Sequence, residues 1–470
     1  WIIVGALALV VLCGVASAGF MFNRGLGVTG LNRPVMWGFF ITNFVFWIGI
    51  SHAGVMLSAI LRLTQAEWRR PATRAAEILT LFSLMTAMLM PLIHAGRPWR
   101  VFYWVFPYDW ARGIFPNIRT PLVWDPAAVF TYLTSTILFV FIALVPDIAV
   151  QRDRTTGVKH AIYSVLSLGW RGTSRQWRLQ LIAGILLSAI ILPIFVSVHS
   201  IVSWDFGMAI AVEAWHSTIF APYFVIGAVH SGVSGVVTVM ILLRYMFRWE
   251  DYIRLEHLDA LAKLLIVVAT TWLFFFMLEF VFGLYAREAP ELALRELQTS
   301  QMPWAGMAVV FLITGYLFPV PLWMFRNVRR SVKWMMITTI SVNIGMWLER
   351  FLIIVPSLAR KQGFTFTWGT YAPSPIEIII VTASFCMVLM LVLLFAKAFP
   401  LIPIADAKEA TILEEYIQIG KKKVPALSGI KPILLKACIK LADFLAITIS
   451  QANAKFAPAP AATPFTAAIT

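Results

Sequence analysis

The chain has 470 residues, of which 60% are hydrophobic and 13% charged, and a mean hydropathy of +0.81, values that exclude a soluble domain. Its net charge of +15, from 38 Lys and Arg against 23 Asp and Glu, fits basic loops at a membrane surface and argues against nucleic-acid binding. The three cysteines, Cys13, Cys386 and Cys438, form no CxxC or four-cysteine pattern, so no iron–sulfur cluster and no covalently attached haem is expected on this chain.

Stretches of about 20 apolar residues mark spanning helices. Ten are predicted: 1–21, 35–61, 75–95, 126–150, 179–201, 214–243, 262–286, 304–325, 332–356 and 375–399. The first ends in Ala16-Ser17-Ala18, which resembles a signal-peptide cleavage site, yet it reads better as an uncleaved first helix. Ten spans put both ends on one side. Loops after the odd-numbered spans hold ten Lys and Arg, and those after the even-numbered spans, with Lys263 and Lys333 at the start of the spans that follow, hold eighteen. The richer set is expected in the cytoplasm, with both termini, in a multi-pass protein of a bacterial inner membrane.

The loop from His94 to Asp125, between the third and fourth spans, then faces the periplasm. It carries Trp99, Phe102, Tyr103, Trp104, Phe106, Tyr108, Trp110 and Trp124, with Arg97 among them. Flat aromatic walls flanked by a histidine and a carboxylate suit a lipid-soluble quinol, whose hydroxyls need hydrogen-bond acceptors that then take protons. An aromatic belt at the membrane interface explains the same tryptophans and tyrosines equally well.

Residues 46–55 and 224–233 share the pattern F-x-I-G-x-x-H-x-G-V at an offset of 178 residues. The repeat predicts an all-α fold of two duplicated four-helix bundles, spans 2–5 and 6–9, with spans 1 and 10 peripheral. The expected division is 1–34 (first helix and periplasmic loop), 35–201 (bundle with the quinol site), 202–356 (second bundle), 357–399 (loop and last span) and 400–470. The last stretch is a cytoplasmic basic tail with Lys421-Lys422-Lys423, an interfacial helix over 431–450 and disorder from Ala457 on.

Ionisable residues within spans are costly and suggest function. His52 and His230 occupy matching repeat positions in the cytoplasmic half and, with Glu77 and Asp147, sketch a partial proton path; neutral core histidines are the alternative. Glu279, Glu349 and Arg350 fall in periplasmic halves, and a Glu279–Arg350 ion pair is the economical arrangement. His199, at the end of the fifth span, gathers with Asp205, Glu213 and His216 on the periplasmic face as a further polar group, and solvated loop residues explain these four just as well.

The motifs HAGV (52–55), HAGRPWRVFYWVFPY (94–108), NIRTPLVWD (117–125), HSGVSG (230–235) and FPLIPI (399–404) resemble the NrfD/polysulfide-reductase membrane-anchor family over residues 1–410. Within it the likeness is greatest to the ten-helix quinol-binding subunit of alternative complex III. The resemblance implies two four-helix bundles, quinol (menaquinol above all) as the ligand, and no cofactor held by the chain itself. Its implied partners are a periplasmic iron–sulfur protein, multihaem and monohaem cytochrome c subunits, a second NrfD-like subunit and membrane lipid. Carried over, His94 and Asp125 are the quinol ligands, with Arg97, Trp99, Tyr103 and Trp124 beside them. Proton translocation through His52, Glu77, Asp147, His230, Glu279, Glu349 and Arg350 is a weaker expectation. The alternatives are a sister subunit lacking a working site and a secondary transporter, the latter suggested by duplicated units and by Pro91, Pro193, Pro222 and Pro356.

Overall fold

Backbone groups in hydrocarbon have no water to bond, so an apolar stretch satisfies itself as a helix. The computed structural model describes residues 1–64, 66, 70–100, 124–209, 212, 215–359, 370–403, 416–419 and 422–425. Among them ten helices are long and apolar enough to span a bilayer. In chain order these are α1 (Ile2–Arg24), α2 (Phe39–Leu63), α3 (Arg70–His94) and α4 (Trp124–Asp153). After the short α5 (Gly157–Leu166) come α6 (Ser174–Ala209), α7 (Phe220–Phe247) and α8 (Leu255–Ala286). The short α9 (Ala289–Ser300) leads to α10 (Trp304–Trp323), a single turn α11 (Arg326–Arg329), α12 (Val332–Ala359) and α13 (Pro375–Ala398). Each expected span forms, but α6 runs on to Ala209, eight residues past the predicted end.

α2 is the centre: 94% of its most apolar window is buried, against 17% for the outlying α1. α2 and α7, which carry the shared motif, pack on each other through its small residues. A Cβ on Gly49 would sit 3.4 Å from Ala228, and one on Gly232 would collide with Ala53 and lie 2.9 Å from the Ile50 carbonyl. α1 lies along α13, where Gly14 leaves room for Ala383.

At three of the prolines that lie inside spans, a side-chain amide or ring nitrogen donates to the freed carbonyl. Pro146 cannot donate to Ile142, whose oxygen accepts from Gln180 Nε2 of α6. Pro356 frees Leu352, which accepts from Gln298 Nε2 of α9 at 3.1 Å. Pro319 frees Gly315 in α10, where the helix widens into a π turn over Ile313–Leu317, and Gly315 accepts from His230 Nε2 at 3.0 Å.

On the face bearing the His94 loop, Glu377 in the first turn of α13 gathers the chain. Its carboxylate accepts from Tyr371 Oη at 2.7 Å, from Gly30 N at 2.7 Å and from Ser374 N at 2.8 Å. Tyr371 Oη in turn accepts from Phe39 N, fixing the start of α2.

Residues 405–470 form a separate unit. In it β1 (Tyr416–Ile419) and β2 (Lys422–Pro425) pair antiparallel, with Tyr416 opposite Pro425, so part of the expected basic cluster lies in a hairpin strand. The helix predicted over 431–450 lies outside the described residues.

Candidate functional site

α3 ends on His94 and α4 begins with Trp124 and Asp125, so the two helix ends hold the polar residues that flank the aromatic loop. The His94 ring packs edge-on against Phe40 of α2 at 6.4 Å, and among the described residues its buried Nδ1 has no hydrogen-bond partner. Asp125 turns instead to α6, where its carboxyl meets that of Asp205, and its buried Oδ1 receives no donor from the described residues. His94 and Asp125 are not joined to each other by a hydrogen bond or ion pair. Trp99 is 59% exposed, Arg97 is exposed, and Trp124 is about one-third exposed. Tyr103 and the rest of 101–123 lie outside the described residues.

From Asp125, two turns of α4, about 10 Å, lead to Tyr132 on the same helix face. Tyr132 is fully buried, donates to the Ser51 carbonyl at 2.9 Å and stacks on His52 with ring centroids 4.4 Å apart. His52 Nδ1 donates to the Ile48 carbonyl, which fixes the tautomer and leaves Nε2 as an acceptor with no partner among the described residues. Against it lies His199 of α6, 4.9 Å away and tilted by 62°, with both ring nitrogens likewise unpartnered and Phe224 of α7 on its far side. His199 and Asp205 are therefore not solvated surface residues: both are buried, His199 within the expected span and Asp205 in the part of α6 that continues past its expected end. Of the other two residues assigned to that face, His216 is exposed and Glu213 lies outside the described residues.

The economical ion pair does not form either. Arg350 folds back to its neighbour Glu349 at 3.6 Å and lies over the Phe224 ring at 4.5 Å, in space that a Cβ on Gly227 would fill. Glu349 also accepts from Trp272 Nε1 at 2.8 Å and from Tyr223 Oη. Glu279 sits instead with Arg295 of α9, which donates to its carbonyl at 3.3 Å. His230 stacks on Trp272 at 5.8 Å besides its bond to Gly315.

Glu77 and Asp147 belong to a network at the opposite ends of α3 and α4. Arg74 contacts Asp147 at 2.6 Å and Glu77 at 4.0 Å, and Glu77 also accepts from Ser58 at 3.0 Å. Among the described residues no group of three or more His, Cys, Asp or Glu gathers as a metal site.

The arrangement is that of a helical membrane protein with a buried aromatic and imidazole column beneath one surface and, at its top, polar atoms that have no partner among the described residues. The family profile described as "Polysulphide reductase, NrfD" matches residues 27–360, and the chain belongs to that family. It is similar to a Halobacterium salinarum protein whose name is that of a putative dimethyl sulfoxide reductase membrane subunit, 27% identical over 239 residues, 51% of this chain and 50% of that protein. It is also similar to a selenate reductase subunit of Mesobacillus selenatarsenatis, 21% identical over 86% of this chain and 94% of that one. The match thus spans half the length of the first relative and nearly all of the second.

Proposed function

We propose that the chain is the quinol-binding and quinol-oxidising membrane subunit of a bacterial respiratory or photosynthetic complex, of the alternative complex III type. The observation that carries this reading is the pair of buried acceptors without a partner among the described residues, His94 Nδ1 and Asp125 Oδ1, at the two helix ends flanking the aromatic loop. A quinol seated between them donates one hydroxyl to each. Loss of two electrons to an iron–sulfur partner on the periplasmic side, and onward to c-type haems, releases two protons, one to the imidazole and one to the carboxyl. Arg97, Trp99, Tyr103 and Trp124 bound the ring.

Asp205 extends the proton route from Asp125, and His199 and His52 continue it inward. His230, Glu279, Glu349, Arg350, Glu77 and Asp147 are its further members if the complex moves protons across the bacterial inner membrane. Both termini then face the cytoplasm. The duplicated bundles, with the division set out from the sequence, belong to the same proposal.

The names of the two relatives favour a second reading, in which the same quinol chemistry feeds a molybdoenzyme-type reductase instead of cytochrome c subunits. The proteins that co-purify with the chain separate the two readings. The test of the site itself is quinol-dependent turnover of the intact complex. His94→Ala and Asp125→Asn abolish it with assembly preserved; survival of turnover in both variants moves quinol oxidation elsewhere.

A further inference from the structure

A second cavity, of about 270 Å³, lies between α7, α8, α9, α10 and α12 and includes neither His94 nor Asp125 nor the aromatic residues placed around them. Its walls are aromatic: Trp215, Phe220, Tyr223, Phe276, Phe280 and Phe311. Among these walls Phe276 and Phe311 meet edge to face at 5.5 Å. Met277, 42% exposed on the outer surface of α8, and Ala308 of α10 stand at its edge, so the cavity opens sideways toward lipid.

Polar groups converge on this cavity with hydrogen-bonding capacity left over. Glu349 is 1% exposed; its Oε1 is occupied by Trp272 and Tyr223, and its Oε2, 3.6 Å from Arg350 Nη1, receives no hydrogen bond from the described residues. Glu279 Oε2 and Arg295 Nε are likewise buried without a hydrogen-bond partner. An acyl chain lying there would leave all three unsatisfied. Two carboxylate oxygens call for a ligand with hydroxyl donors, and the walls call for a planar ring.

We infer that this cavity is a second binding site for a lipid-soluble dihydroxy-aromatic ring of the quinol class, held by Glu279 and Glu349 and entered between α8 and α10. The volume fits the ring alone, so an isoprenoid tail trails out past Met277. This rests on the proposed function only in taking quinol as the ligand available to the complex; the site stands apart from His94 and Asp125. It binds rather than oxidises, since nothing described in it offers an electron exit.

The experiment is photolabelling of the intact complex in lipid nanodiscs with an azido-naphthoquinol, mapping adducts by peptide mass spectrometry. Adducts are expected on α8 and α10 peptides, at the same level in His94→Ala. Ala308→Trp and Met277→Trp, which fill the mouth from the lipid side, should lower them by about tenfold, one decade of affinity, while labelling beside α3 and α4 and turnover remain. Absence of α8 and α10 adducts at saturating probe overturns the inference, as does labelling unchanged in both mouth variants. Failure of the His94 site shows separately, as missing adducts beside α3 and α4 with turnover intact in His94→Ala.

Discussion

Asp125 on α4 and Asp205 on α6 meet carboxyl to carboxyl inside the bundle, although 80 residues separate them in the chain. Neither Asp205 oxygen has a hydrogen-bond partner among the described residues, and two neighbouring buried carboxyls do not both stay charged, so Asp205 is placed to accept what Asp125 receives. Asp205→Asn keeps the shape and removes the second proton acceptor. Steady-state quinol oxidation should fall about 100- to 10,000-fold in kcat, the scale of one general acid–base partner, with a much smaller change in KM. Unchanged kcat would leave Asp205 a packing residue.

Arg350 and Glu349 form a buried pair, with the guanidinium also over Phe224. Arg350→Met leaves the Glu349 charge uncompensated and should cost about 3–5 kcal/mol. Thermal unfolding of the detergent-solubilised complex reads this as a large drop in midpoint. Adding Glu349→Gln should recover much of the loss, because the amide oxygen still accepts from Trp272 and Tyr223.

Glu377 accepts three hydrogen bonds that tie Gly30, Tyr371 and Ser374 to the start of α13. Glu377→Ala should destabilise this surface by about 2–4 kcal/mol, several bonds to one charged acceptor lost together. Limited proteolysis should show faster cleavage between α1 and α2, with cleavage elsewhere unaltered.

Gly232 has no room for a side chain against Ala53 and the Ile50 carbonyl. Gly232→Val must push α7 off α2, at about 1–3 kcal/mol or more. A lower melting temperature and reduced yield of assembled complex are the expected readings. An unchanged melt would contradict the close packing of the two motif helices.

Outside the spans, burial pushes the Glu291 carboxyl on α9 above its usual range, Arg295 pulls it down, and Glu279 and Glu288 add to the rise. The folded state thus holds this proton more tightly than the unfolded chain does. Its stabilising contribution is complete below the unfolded value of about 4.3 and is lost as pH rises through the higher folded value. Glu291→Gln should flatten that part of the stability profile, measured as melting temperature against pH.

The ten spans were legible because length and apolarity are local properties, and hydrocarbon permits one way of closing the backbone. The repeat motif was legible too, but that its glycines bring α2 and α7 against each other was settled by packing. What hydropathy could not give was which helix each side chain faces. Asp205 looked like a surface residue because an acid near the end of an apolar run usually is one; a signal of the longer helix lay in the apolar residues that continue around it, Val202, Trp204 and Phe206. His199, from the same stretch, became the neighbour of His52 only when α6 packed on α2.

The sequence by itself determined the class of the protein, its spans and the position of the His94 loop between two of them, since each depends on neighbours along the chain. Tertiary structure alone decided that Arg350 pairs with Glu349 and not Glu279, that His230 meets the carbonyl freed by Pro319, and that Asp125 finds Asp205. Those pairings depend on the rotation of each helix about its axis and on lateral packing, where buried polar atoms must take the partner that the neighbouring helix presents.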